Sequence, residues 1–260
     1  MELELRSVNF AYGRDGRIQQ ALRDVSFTVA PHEVCAIVGP SGCGKSTLLN
    51  LVAGFLFPAS GKVFGMGKQI YGPGSDRVMI FQKSALFPFL TVAQNIGYGL
   101  KLQGVSPATR ERYVSEALAA IDLSAFASVF PRELSEGMRK LVEVARALVL
   151  RPPVLLFDES LGNLDALARY AMQQQIQQLL REQKTTTLWV THDLEEAVLL
   201  ADKVVVLSPR PATVVEVKTI GVQRPRTEAI RTSSAIQSVR KELFELLAST
   251  KFQQPGGAVK

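Results

Sequence analysis

Cysteine is scarce in this chain. Only Cys35 and Cys43 occur in 260 residues, too few and too close together for a disulfide framework, and they suit a reducing compartment. Long apolar runs are missing as well: "VCAIV" and "VVVL" stop far short of the roughly 20 residues that a spanning helix needs. The opening "MELELRSVNF" lacks the basic and apolar regions of a signal peptide. These absences predict a cytoplasmic chain that meets a membrane only through a partner. Aromatics make up only 7% of the residues, and the net charge of +6 is scattered among acidic side chains. That footprint weighs against a nucleic-acid groove and leaves anionic lipid or a polyphosphate as acidic partners.

Hydrophobic residues, by contrast, are plentiful at 47%, enough for a real core in one large domain or a domain with a subdomain. Leu3, Leu5, Val8 and Phe10 alternate, and an apolar stretch follows from Leu22 to Val29, so residues 1–30 read as antiparallel strands. Beyond them, "EVCAIVG" reads as a buried strand and "STLLNLVAGF" as a helix. After Gln82 the pattern turns mostly helical, with Ser106 and Pro107 marking one helix start. Strand and helix signals then alternate through "VLLFDES", "TTLWVTH" and "KVVVLS". The expected fold is α/β, a mostly parallel sheet covered on both faces, with an N-terminal antiparallel β part. The expected division is a main domain over 1–210, a helical insertion over about 83–150 and a strand-and-helix tail over 211–260.

"GPSGCGKST", residues 39–47, has the G-x-x-x-x-G-K-[ST] pattern between an expected strand and an expected helix, the context this phosphate-binding motif requires. Gly39, Gly42 and Gly44 let the backbone curl so that N–H groups of the segment, with Pro40, Ser41, Cys43 and Thr47, surround a polyphosphate. Lys45 would reach the terminal phosphates, and Ser46 would offer its hydroxyl to Mg2+. Cys43 is either a small filler or a thiol whose alkylation blocks nucleotide binding. The strand "VLLFDE" ends in two carboxylates, a costly arrangement unless the charges are used. Asp158 fits the Mg2+ shell, and Glu159 fits a general base for water attacking the γ-phosphate of ATP. His192 ends another apolar strand and could contact the same phosphate, since ligand sites of parallel sheets gather at strand C-terminal ends.

Taken with Gln82 in "MIFQKSALFPFLTVAQNI", "LSEGMRK", Asp165 in "LGNLDA" and "VTHDLEEAVLLADKVVVLSPRP", these motifs resemble an ATP-binding-cassette (ABC) ATPase over nearly the whole chain. The resemblance implies two such chains facing head to tail, each ATP lying between one phosphate cradle and the other chain's signature loop. By the same resemblance Tyr12 would stack on adenine, and Gln82 would help hold Mg2+ and couple it to a membrane permease. Asp165 would communicate across the dimer. "VTHDLEEAVLLADKVVVLSPRPATVV" followed by "RPR" looks most like the nitrate, sulfonate, taurine and pyrimidine-precursor importers, which implies a solute-binding protein and a position on the cytoplasmic face of the membrane. Phe87, Phe89 and Leu90 would either line the permease groove or pack the helical insertion.

The signature departs from the family at Glu136. Ser135 can cap the following helix, Gly137 keeps a close-approach N–H, and Met138 stands where glutamine is usual. An acidic residue in the first turn complements the helix dipole by about 0.3 to 1 kcal/mol. Facing one phosphate charge at about 7 Å, however, it costs about 2.4 kcal/mol at an effective dielectric of about 20 and about 0.6 in water. Leu141, where arginine is usual, and Ser160, where proline is usual, depart too. Two functions stay open: an active ATPase driving an importer, or a weakly hydrolytic regulatory or structural subunit paired with a different cassette.

Overall fold

Period-two patterning builds the first sheet. β1 (Leu3–Arg14) and β2 (Arg17–Val29) pair antiparallel, with Leu3 opposite Val29 and Leu5 opposite Phe27, and all four side chains are buried. The computed structural model describes residues 3–14, 17–159, 161 and 166–252. After β3 (Val34–Val38) and α1 (Lys45–Ala53), strands β4 (Ser60–Gly65) and β5 (Lys68–Gln69) complete a four-stranded sheet in the order β2-β1-β4-β5.

β6 (Arg77–Ile80) leads to the helical stretch: α2 (Val92–Leu102), α3 (Pro107–Ala120) and α4 (Glu136–Leu148). Each start carries its own cap. Thr91 and Gln94 form a reciprocal capping box, Ser106 precedes Pro107, and the Ser135 hydroxyl accepts from the Met138 N–H at 3.2 Å. The chain then alternates through β7 (Val154–Asp158), α5 (Ala166–Gln183), β8 (Thr186–Val190), α6 (Leu194–Leu200) and β9 (Lys203–Leu207). It closes with β10 (Val214–Thr219), α7 (Glu228–Arg231) and α8 (Ser234–Phe252).

The second sheet runs β10-β9-β3-β8-β7-β6, parallel except for β10. Its inner strands are apolar throughout because both faces are covered. Val34, Ala36, Val38, Phe157 and Trp189 face the helices, whereas Cys35, Ile37, Leu156 and Val190 face α1 and the antiparallel sheet. The order β3-β8-β7 sets the C-terminal ends of three strands side by side.

The segment after residue 210 is fastened into this core. β10 pairs with β9, and α8 contributes Ile236 and Leu243 to the helix-side core. Between them Arg226 is fully buried and donates to the carbonyls of Val198 (2.8 Å), Leu199 (3.2 Å) and Ala201 (2.6 Å), the open end of α6. Burial pushes its guanidinium down to about 10. Arg224 makes two 2.8 Å bonds to Asp202, whose carboxylate also accepts from the Val34 N–H. Arg226→Ala should therefore cost about 3 kcal/mol or more, by bared carbonyls plus a cavity. Arg224→Ala, at a partly exposed pair, should cost about 1 kcal/mol or less. Urea unfolding of the two variants checks the contrast.

Candidate functional site

The phosphate motif forms its loop between β3 and α1. Gly42 and Gly44 take φ values of 72° and 127°, which L side chains rarely adopt, and a Cβ on Gly44 would lie 2.9 Å from Leu22. Lys45 is 5% exposed, and its amine donates to the carbonyls of Gly39 (3.0 Å) and Pro40 (3.2 Å). The cation is thus held inside the cradle by the loop's own backbone.

The neighbouring strand ends bring the rest. From β7, Asp158 accepts the Ser46 hydroxyl at 2.9 Å, joining cradle and carboxylate. Glu159 follows with φ 41°, a left-handed turn uncommon for a non-glycine residue, while its N–H stays on the Val190 carbonyl of β8. That turn sends its carboxylate between two cationic or ionisable groups: Lys45 Nζ lies 3.5 Å from Oε1, and His192 Nδ1 lies 3.6 Å from Oε2. His192 is itself largely exposed, so it is free to meet a ligand.

The loop bearing His192 is fixed behind it. Asp193 caps α6 by accepting from the N–H groups of Glu195 and Glu196, and Arg169 of α5 reaches Asp193 at 3.3 Å. At the other rim the Tyr12 hydroxyl and Thr47 Oγ1 lie 2.9 Å apart, so the Tyr12 ring stands beside α1, 38% exposed.

Electrostatics favour a cation at Asp158. Burial pushes its carboxyl up, the Ser46 hydrogen bond opposes that, and Glu159 adds to the rise. A hydroxyl and a carboxylate oxygen that already converge form a hard-oxygen donor set of the kind that fits Mg2+.

Other expected residues lie apart. Gln82 is exposed two residues beyond β6, and among the described residues no hydrogen bond or ion pair joins it to the cradle. Ser135 and Glu136 are exposed at the start of α4, with Gly137 and Met138 partly covered, and among the described residues they too make no such bond to the cradle. Asp165 and Ser160 lie outside the described residues. Of the two readings of Cys43, the structure supports the small filler over the reactive thiol: the residue is 1% exposed, packs in the core with Leu48 and Leu49, and its thiol is pushed up by burial. A buried protonated thiol is a poor nucleophile.

Sequence reasoning missed the polar residues on the buried face of α4, Lys140, Glu143 and Arg146. No local signal marks them, since they lie beside the apolar stripe of Met138, Leu141, Val142, Ala145 and Leu148 and do not interrupt it.

A family model described as ABC transporter matches residues 22–162. The chain is 44% identical over 201 residues to a taurine import ATP-binding protein of Chromobacterium violaceum, covering 77% of each. It is 38% identical over 260 residues to an aliphatic sulfonates import ATP-binding protein of Bacillus licheniformis, covering 99% of this chain and 100% of the relative. Among solved structures it is similar to the dimeric post-hydrolysis state of the cassette MJ0796 bound to ADP and Pi. That likeness has a TM-score of 0.74 at 27% identity and covers 85% of this chain and all of the other.

Two outcomes follow from the geometry. The native chain holds the Asp158 proton to higher pH than the unfolded chain, so nucleotide-free stability falls as pH rises between the ordinary carboxylate range and the raised native value. Asp158→Asn should remove that slope and raise the nucleotide-free melting temperature, yet lose the extra stabilisation Mg2+ gives with ATP; thermal melts across pH, with and without Mg-ATP, check both. Cys43 should react with N-ethylmaleimide in the native chain only as fast as local opening exposes it, read by mass spectrometry with and without urea.

Proposed function

The chain belongs to the ABC transporter ATPase family, and on that premise we propose that it hydrolyses ATP to power a membrane importer of a small anion, such as taurine, another sulfonate or nitrate. The observation that carries the hydrolytic reading is the Glu159 carboxylate suspended between Lys45 and His192, beside the Ser46–Asp158 pair. The substrate class rests on the taurine and sulfonate import named for two relatives.

In this reading the loop Gly39, Pro40, Ser41, Gly42, Cys43 and Gly44 wraps the ATP phosphates, with every residue but Pro40 able to offer a backbone N–H, and Thr47 supports the rim with Tyr12 beside adenine. Lys45 meets the β- and γ-phosphates, leaving Glu159 to accept a proton from the attacking water. His192 donates to the γ-phosphate as charge builds there. Ser46 and Asp158, with Gln82, would hold Mg2+, and the ion would supply charge neutralisation at the terminal phosphates.

The signature residues Ser135, Glu136, Gly137 and Met138 face the ATP of a second cassette chain, and Asp165 passes the state of one site to the other. Residues 1–210 act as the cassette, with 83–150 as its helical insertion and 211–260 as the tail that braces it. Among the described residues no helix is long and apolar enough to cross a membrane. In the importer reading the chain docks from the cytoplasmic side on permease subunits that receive solute from a binding protein. The mostly apolar cavity lined by Phe81, Phe87 and Tyr98, with Glu143 and Arg146 also in its wall, suits a permease helix.

One feature supports a second reading. Glu136 sits exposed in the first turn of α4, so a partner's ATP turns over slowly against it, and this chain serves beside a different cassette whose signature is intact.

Glu159→Gln should lower turnover about 100-fold or more while ATP still binds; unchanged turnover would remove the base assignment. Glu136→Gly should raise ATPase activity or ATP-driven dimerisation of the purified chain, and neither rising would show that this side chain stays in water. Taurine uptake into proteoliposomes holding the cognate permease tests the substrate class.

A further inference from the structure

The loop that carries Gln82 is tied on both sides to one stretch of α4. Phe81, immediately before it, accepts from the Lys140 amine through its carbonyl at 3.0 Å. Ala85, three residues after it, donates its N–H to Glu143 Oε1 at 2.6 Å and accepts from Arg146 through its carbonyl at 2.9 Å. Lys140 Nζ and Glu143 Oε2 close the arrangement at 2.6 Å, with side chains only 7% and 3% exposed. Gln82, Lys83 and Ser84 stand exposed between the ties.

A buried ion pair is tolerable only when further hydrogen bonds satisfy its remaining donors and acceptors. Here the loop backbone at Phe81 and Ala85 supplies them. The pair therefore stays satisfied while the loop rests on α4, and a loop that lifts away leaves the two charges with each other but without the hydrogen bonds the loop supplies. The same helix starts at Glu136, about one turn before Lys140. The far half of the loop is fastened as well, since buried Asn95 of α2 takes the Phe87 N–H at 2.9 Å and donates to the carbonyls of Phe87 and Leu90.

We propose that Lys140 and Glu143 are positioning residues that lock the Gln82 loop to α4, so that a shift of the loop on nucleotide binding reaches the Ser135–Glu136 turn without slack. The proposal rests on the reading of Gln82 and the signature turn given above. What it adds is the buried pair, Lys140 with Glu143, that holds the loop and the helix together.

Hydrogen exchange on the full chain tests it, followed in peptides covering 81–90 and 133–141. The variant is Lys140→Met with Glu143→Leu, which leaves neither charge unpaired. Without nucleotide, exchange of 81–90 should accelerate about tenfold or more in the variant. With Mg-ATP, both peptides should slow together in the parent chain, whereas in the variant only 81–90 should slow. A simple loss of packing would not separate the two responses. A variant whose 133–141 peptide responds like the parent's, or whose 81–90 exchange is unchanged without nucleotide, overturns the proposal.

If the double variant does not fold, Glu143→Gln keeps an acceptor for Ala85 without the charge. It should then accelerate 81–90 by about threefold, and an unchanged rate again overturns the lock. Failure of the parent chain to bind Mg-ATP, seen as no thermal shift, would instead sink the ATPase reading, and the nucleotide-free comparison would still decide the lock.

Discussion

Everything in the site depends on where one carboxylate is held. Glu159 lies between Lys45 and His192 because three parallel strands end side by side and the chain turns left-handed as it leaves β7. Each neighbour arrives from a different strand. Lys45 follows β3 and is anchored by two carbonyls of its own loop, and His192 follows β8 ahead of a capped helix braced by Arg169. A shift of any of the three strands would separate groups that sit 3.5 and 3.6 Å apart. The apolar filling of both sheet faces, from Val34 to Trp189, is what fixes that register.

Charge is arranged with the same economy. The carboxyl of Asp158 is disfavoured as an anion by burial, and one hydroxyl partially relieves it. A site left in such partial tension binds a divalent cation with less competition from its own hydrogen bonds than a fully satisfied carboxylate would.

Much of this was legible in the sequence because the signals are local. Glycines at fixed spacing before Lys45 announce a loop, an apolar strand ending in Asp158 and Glu159 announces used charges, and Ser106 before Pro107 announces a helix start. Less legible were features set by contacts distant in sequence. Nothing near Arg226 says that it will cap α6, since the carbonyls it meets lie 25 to 28 residues away. Lys140 and Glu143 read locally as an ordinary solvated pair, and only the loop at Phe81 and Ala85 accounts for their burial. Cys43 stayed between two readings for a related reason: membership of a ligand-binding loop says where its backbone lies, not which way its thiol points.

The fastening of the chain after residue 210 bears on how the molecule could be divided or extended. Cleavage ahead of β10 would open the β9 edge, a strand buried from Val204 to Leu207, to pairing with other chains. It would also strip the end of α6, the helix whose opposite end holds the His192 loop in place. A fused module is therefore better joined beyond α8 than before β10, because only there does the added chain leave that helix held at both ends.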